Sequence, residues 1–315
     1  MTKSLCTVVM PTRDCLSYLK KSIPTIYAQD AGPIEIIVVD DGSRDGSLDY
    51  LYKCARMDPD FVVLETGGIG PGRARNAAIA KARGELIAFL DADDLWLEGK
   101  LARQLAFHSV NPEIGLSFCD YTAFTTEATV PGSCFSYWNV RFSEAKAAGY
   151  HALDGAEAVF LSHNIVGTSA VVAKRELLQN ANGFLTDLQS ATDWDMWLKL
   201  AAMAPVGISA EIGMLYLMRT GSVTQNRQNR IDAMETIVSR YRGRREVPMR
   251  RAVRLAEANI AIARAEYDVE AGRPFSSMRH FGAALSRRPD RRTFRAAGQA
   301  LFDGLAETLW RKRVA

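Results

Sequence analysis

Three carboxylates stand within four residues at Asp91-Ala-Asp93-Asp94, directly after the apolar run 86–90. Like charges this close repel unless a cation lies among them. A dication that seeks oxygen, Mn2+ or Mg2+, does so while bridging to phosphate oxygens. The plainer alternative is that Asp94 caps the following helix and its neighbours favour that helix's positive end; a cap needs one acid, and three are present. A second acidic pair, Asp40-Asp41-Gly42-Ser43, ends the run 34–40. A carboxylate at a strand end can accept from a base N–H or a ribose hydroxyl, although Asp and Gly are also ordinary turn residues.

Gly70-Pro-Gly-Arg73-Ala-Arg75-Asn76 opens a helical pattern. Glycines there let backbone N–H groups approach a phosphate, with Arg73 or Arg75 adding charge; a helix start with surface arginines reads equally well. Gly68-Ile-Gly70 with Asp91 further on also imitates a dinucleotide fingerprint, but Arg73 stands where close helix–strand packing needs Gly or Ala. That leaves an NAD-dependent oxidoreductase as a weaker alternative. In Thr192-Asp193-Trp-Asp195-Met-Trp197, the residues Trp194, Trp197, Leu198 and Ala201 share one helical face. Asp193 lies off that face, free to act as a base or merely to offset the helix dipole, with Asp195 solvated.

The elements that must position these groups alternate. Apolar, β-branched runs at 5–10, 34–40, 61–64, 86–90 and 114–119 are separated by helical patterns at 15–29, 45–56, 72–83 and 98–110. This predicts βαβ units, a mainly parallel central sheet covered on both faces, and ligands at the strands' carboxyl ends, after Met10, Val39 and Leu90. Residues 124–165 are less regular, with a helix expected at 155–161; a further apolar run covers 168–173 and a patterned helix 193–202. From 231 the chain reads as helices, with an antiparallel hairpin around Gly272.

The net charge of +3 conceals an asymmetry: residues 226–315 carry 20 Lys/Arg against 10 Asp/Glu. The break divides the chain into 1–225, a catalytic domain, and 226–315, a basic helical region. No nucleic-acid reading motif accompanies the basic residues. Arg287, Arg288, Arg291, Arg292 and Arg295, with a stripe of Leu301, Phe302, Leu305, Leu309 and Trp310, read either as a membrane-surface helix or as a hairpin whose arginines are solvated or paired. Five cysteines without a CxxC pair argue against zinc and against a disulfide framework. With a start too short for a signal peptide and no long apolar span, the expectation is a cytoplasmic protein.

In order along the chain, Val8-Val-Met-Pro11-Thr12, Val38-Val-Asp40-Asp41-Gly42-Ser43, Arg75-Asn76-Ala-Ala, Asp91-Ala-Asp93-Asp94, Gly183-Phe184 and Thr192-Asp193-Trp-Asp195 resemble the inverting glycosyltransferases of family 2, over about residues 5–225. The resemblance implies a GT-A-type, Rossmann-like nucleotide-binding α/β fold with the helical region following it. It implies that Pro11 and Thr12 line a nucleotide pocket and that Asp41, helped by Asp40, reads the base. Arg73 or Arg75 would support the phosphates. Asp91 would meet the ribose, and Asp93 with Asp91 would hold Mn2+ or Mg2+. Asp193 would be the catalytic base. The implied donor is a nucleoside-diphosphate sugar, UDP-linked first of all; the implied acceptor is a saccharide or lipid-linked saccharide. The chain departs from the family pattern in three places. Thr192 stands where an acid is common. Arg219 stands where the family has His, and could pair with the diphosphate. Arg13-Asp14 replaces an aromatic–Asn pair. The first two departures keep a non-catalytic sugar-nucleotide binder open as an alternative.

Overall fold

The apolar runs near the start do form adjacent strands. A computed structural model describes residues 6–125, 128–140, 149–218, 226–289, 293–295, 297–299 and 302. Strands β1 (Cys6–Thr12), β2 (Ile34–Asp40), β3 (Phe61–Glu65) and β4 (Leu86–Phe89) pair in parallel in the order β3-β2-β1-β4. Val8, Val9, Ile36 to Val39 and Ile87 to Phe89 are fully buried, as strands covered on both faces require. The crossovers are helices α1 (Leu16–Tyr27), α2 (Ser47–Met57) and α3 (Pro71–Lys81), each with one buried stripe.

Beyond β4 the order stops being sequential. The elements are β5 (Leu95–Trp96), α4 (Lys100–Val110), β6 (Leu116–Phe124), α5 (Cys134–Tyr137), β7 (Tyr150–Ala152) and α6 (Ala156–Ser162). A 3-10 turn at Thr168–Ala170 leads into β8 (Val172–Lys174), followed by α7 (Arg175–Asn180), α8 (Thr192–Met203) and β9 (Val206–Leu217). The sheet runs β3-β2-β1-β4-β8-β6-β9-β5, with β7 also on β9. It is mixed and mainly parallel: the long ladders, including β6 with β9, are parallel, while β8 lies antiparallel between β4 and β6. The expected run 168–173 thus divides into a turn and a short strand. The expected strand 114–119 extends to Phe124 past a bulge at Asp120.

The described chain separates into two compact units. One comprises 6–156, 165–187 and 192–218 and contains the sheet. The other comprises 157–164, 188–191 and the described residues from 226 onward. Its helices are α9 (Arg227–Ser239), α10 (Val247–Glu270) and α11 (Pro274–Arg287); α10 and α11 turn at Gly272, whose φ of +65° favours a residue without a β-carbon. Ala265, Phe281 and Ala297 form a small core there. Many arginines of this unit are paired: Arg242 and Arg287 on Glu257, Arg264 on Glu235, Arg273 on Asp268, and Arg244 on Glu157. Of the apolar stripe 301–310 only Phe302 is described, and it is exposed; Arg291 and Arg292 also lie outside the described residues. Among the described residues no helix is long and apolar enough to cross a membrane.

Candidate active site

Parallel pairing aligns the ends of neighbouring strands. In the β1–β2 ladder Pro11 faces Val39 and Thr12 faces Asp40, so two polar side chains close adjacent strands at the same edge. Both are buried, at 5% and 2% exposure. Asp40 Oδ1 accepts from the backbone N–H of Gly42 and Ser43. Its Oδ2, and the Thr12 hydroxyl, have no hydrogen-bond partner among the described residues. Buried polar atoms are rarely left so, and two on neighbouring strand ends mark a place where a polar ligand restores the missing bonds.

Asp41 faces the other way chemically. Its Oδ1 accepts from Thr66 Oγ1 (2.6 Å), Gly68 N (2.8 Å) and Ile69 N (2.7 Å), and its Oδ2 from Gly70 N (2.8 Å). Burial alone pushes this carboxyl up, but the bonds from Thr66, Ile69, Gly70 and Gly68 outweigh it and hold it below the ordinary carboxylate value. The same bonds commit the N–H groups of Gly68, Ile69 and Gly70 to Asp41, and of the glycines in the expected phosphate cradle at Gly70-Pro-Gly72 this removes Gly70. The dinucleotide alternative, which needs those groups for a pyrophosphate, loses its main support here. Arg73, in the first turn of α3, is exposed.

Arg75, two residues on, is buried and meets Asp91 at 2.5 Å, with its guanidinium over the Phe184 ring. The repulsion within the acidic turn is therefore relieved in part by the protein itself. Asp94 is the third acid, and it is neither a cap nor solvent-facing. It is buried, its Oδ2 accepting from Ser169 Oγ (2.5 Å) and its Oδ1 from Leu217 N (3.1 Å). Burial, reinforced by the charges of Asp91 and Asp93, pushes its carboxyl well above the usual range. Ser169 Oγ also accepts from Asp91 N (3.0 Å), so one hydroxyl ties both ends of the turn.

Asp193 belongs to the first turn of α8. Its Oδ2 accepts from Thr168 Oγ1 (3.0 Å) and its Oδ1 from Trp194 N (2.9 Å). Asp195, expected to be solvated, is instead buried and paired with Lys199 one turn on (2.7 Å). The apolar face read from the sequence anchors the helix: Phe89, Phe184 and Trp197 form three edge-to-face contacts with centroids 5.4–5.7 Å apart. Asn76 completes the scaffold. Its amide accepts from Phe184 N and donates to Phe184 O, both at 2.8 Å. Arg219 lies outside the described residues.

The chain has relatives among known proteins. The family model for glycosyl transferase family 2 matches residues 7–150. Residues 7–150, just under half of the chain, are thus similar to glycosyl transferase family 2. A putative teichuronic acid biosynthesis glycosyltransferase of Bacillus subtilis, TuaG, is 33% identical over 40% of this chain and 50% of its own length. An Escherichia coli UDP-Glc:alpha-D-GlcNAc-diphosphoundecaprenol beta-1,3-glucosyltransferase, WfaP, is 25% identical over 71% of this chain and 81% of its own. Among solved structures, Staphylococcus aureus TarS residues 1–349 superpose with a TM-score of 0.64 at 17% identity, covering 98% of this chain and 91% of that one. The mannosyltransferase PcManGT of Pyrobaculum calidifontis, in complex with GDP-Man and Mn2+, gives 0.62 at 23%, covering 99% and 89%. These likenesses establish the GT-A fold. The chain spans 30–50% of the length of the first curated relatives it matches.

Among the described residues the acids do not build a metal cage: no three of His, Cys, Asp or Glu gather to hold an ion. Asp94 is turned inward, whereas Asp91, paired with Arg75, and Asp93 are both half-buried. Such a donor set suits a small, hard dication that keeps waters and takes most of its remaining ligands from a substrate's phosphates. The sequence reading passed over Thr168 and Ser169 as part of an apolar run. The available signal was slight: two hydroxyls placed between Gly167 and a buried strand.

Proposed function

We propose that this protein transfers a sugar from a nucleoside-diphosphate sugar to an acceptor hydroxyl with inversion at the anomeric carbon, and that a divalent cation assists. The observation that carries the proposal is a convergence. Unpartnered Thr12 Oγ1 and Asp40 Oδ2 close two adjacent strands, the acidic turn follows the next strand, and Asp193 is tied to that turn through Thr168-Ser169. Relatives support the donor class: TarS has been solved with UDP and with UDP-GlcNAc, and PcManGT with GDP-Man and Mn2+. The WfaP name supports a lipid-linked acceptor and a role in cell-surface polysaccharide synthesis.

In this reading Pro11, Thr12 and Asp40 contact the nucleoside, while Asp41 shapes the adjoining loop. Arg75 fixes Asp91 for the ribose, and Asp93 helps hold Mn2+ or Mg2+ at the diphosphate. Arg73, with Arg219, would approach the phosphates. When bound, the cation offsets the negative charge that grows on the departing diphosphate. Asp193 accepts the acceptor hydroxyl's proton as its oxygen attacks carbon 1, and the nucleoside diphosphate leaves from the opposite face. No covalent sugar–enzyme intermediate is required. The boundary near residue 226 separates this chemistry from a basic region suited to an anionic membrane surface. Cys6, Cys15, Cys54, Cys119 and Cys134 are buried thiols, in keeping with a reducing, cytoplasmic setting.

The test is nucleoside diphosphate release from UDP-, GDP-, CDP- and dTDP-sugars, with and without Mn2+, for wild type and Asp193→Asn. Release that needs Mn2+ and falls in the variant supports the proposal. Equal release by both proteins would remove Asp193 as base, and binding without release would favour the non-catalytic alternative.

A further inference from the structure

Strand β8 runs against β4, so the residues that precede β8 arrive at the end of the sheet where β4 ends and the acidic turn begins. Those residues are the 3-10 turn Thr168–Ala170. Gly167 enters it against Tyr121, where a β-carbon would stand 2.9 Å from the ring. The turn is anchored from below: Trp96 Nε1 donates to Ser169 O (2.7 Å), and Gln104 Nε2 to Ala170 O (3.1 Å). Thr168 and Ser169 are 7% and 1% exposed, and, unlike Thr12, both have hydroxyls already committed to protein partners.

Their hydroxyls nevertheless hold two different parts of the site. Thr168 Oγ1 donates to Asp193 Oδ2 at 3.0 Å. Ser169 Oγ donates to Asp94 Oδ2 at 2.5 Å and accepts from Asp91 N at 3.0 Å. Asp193 is far from Asp91 in sequence and rides on helix α8, yet adjacent residues of one rigid turn grip both. We propose that Thr168 and Ser169 are paired positioning residues: Thr168 orients the Asp193 carboxylate, Ser169 sets the Asp91–Asp94 turn, and the peptide bond between them fixes the distance between base and donor site. This rests on the glycosyl-transfer reading above.

The carboxylate oxygen that Thr168 holds, Asp193 Oδ2, cannot rotate freely, which leaves Asp193 one preferred direction for accepting a proton. Displacing a catalytic group by about 1 Å costs on the order of a hundredfold in rate. Ser169 acts on the donor side, so its loss should register in binding rather than in proton transfer. Two consecutive hydroxyls should therefore give opposite kinetic signatures, which a general loosening of the fold would not produce.

The experiment measures Mn2+-dependent nucleoside diphosphate release from UDP-glucose, UDP-N-acetylglucosamine and GDP-mannose, with water as acceptor. Thr168→Val is expected to lower kcat by about 10- to 100-fold with the donor KM nearly unchanged, and Thr168→Ser to restore it. In an Asp193→Asn background Thr168→Val should add no further loss. Ser169→Ala is expected to raise the donor KM more than it lowers kcat. The proposal is overturned if Thr168→Val turns over like wild type, if its effect is equal in both backgrounds, or if both single variants change kcat and KM alike. Wild type releasing no diphosphate from any of the three donors would sink the glycosyl-transfer reading and this proposal together. An active wild type with an indifferent Thr168→Val sinks this proposal alone.

Discussion

Gly183 lies so close to Asn76 that a β-carbon on the glycine would stand 2.6 Å from Asn76 Oδ1, and its φ of +68° is left-handed. The same amide grips Phe184 at both its N–H and its carbonyl. The glycine, the phenylalanine and the asparagine therefore form one unit that seats Phe184 under Arg75 and against Trp197. Gly183→Ala should cost about 2–4 kcal/mol, from the left-handed backbone and the clash. Asn76→Ala should cost about 1–3 kcal/mol for the lost bonds at a half-buried site. In the double variant the clash has no partner, so urea midpoints should show a combined loss smaller than the sum by about 1 kcal/mol. Strict additivity would mean that the two residues do not meet.

Asp41 organises the 66–70 loop through four accepted hydrogen bonds, and its carboxyl is held below the ordinary value. Asp41→Asn should lower stability by about 2 kcal/mol near neutral pH, because an amide donor then confronts N–H groups. A depressed folded value contributes stability above the unfolded carboxylate pKa of about 3.9, and the contribution disappears as pH falls through the folded value. The gap between wild type and variant in denaturant titrations should thus hold from pH 7 down to about 4 and close below it. A gap that widens towards acid would contradict the assigned bonds.

Much of this architecture was legible because it is local. Strands β1 to β4 announce themselves as continuous apolar runs, and helices α1 to α4 as periodic ones, with ends displaced by a few residues at most. The acids at Asp40 and Asp91 stand where βαβ logic puts ligands. What escaped was non-local. Strand β9 was not expected, because its pairing with β6 crosses a bulge that breaks simple alternation. The role of Asp94 was misread because its partners, Ser169 and Leu217, come from distant segments. The commitment of the Gly68–Gly70 amides to Asp41 is likewise a matter of folding, since glycines before a helix look the same whether they cradle a phosphate or a carboxylate.

Lys100 is buried, with Nζ over the Trp96 ring at 4.3 Å and no hydrogen-bond partner among the described residues. Burial, tempered by Cys119 and Cys6, lowers its ammonium to about 8. Since the unfolded value is about 10.4, the unfolded chain binds more protons between the two, and this lysine makes stability rise as pH climbs through that window. Lys100→Met keeps the apolar stem and removes the buried charge. It should raise stability at pH 7 by about 2–3 kcal/mol, less any loss of the ring contact, and flatten the rise between pH 8 and 10. A methionine variant less stable than wild type at pH 7 would show that the ammonium is better solvated than its burial implies.

The two aspartates of α8 separate chemistry from architecture within one helical turn. Asp193 is half-exposed and accepts from Thr168, whereas Asp195 is buried against Lys199. If Asp193 takes the acceptor's proton, Asp193→Asn should keep its melting temperature and lose about 100- to 10,000-fold in turnover. Asp195→Asn strands part of a buried ion pair and should lose stability by about 1–3 kcal/mol while the protein that remains folded turns over within a few-fold of wild type. Thermal melts and diphosphate release on the same preparations decide it. Were Asp195→Asn the variant with intact folding and abolished turnover, the base would sit on the inner face of the helix, and the assignment of Asp193 would fail because the geometry that exposes it would be serving nothing.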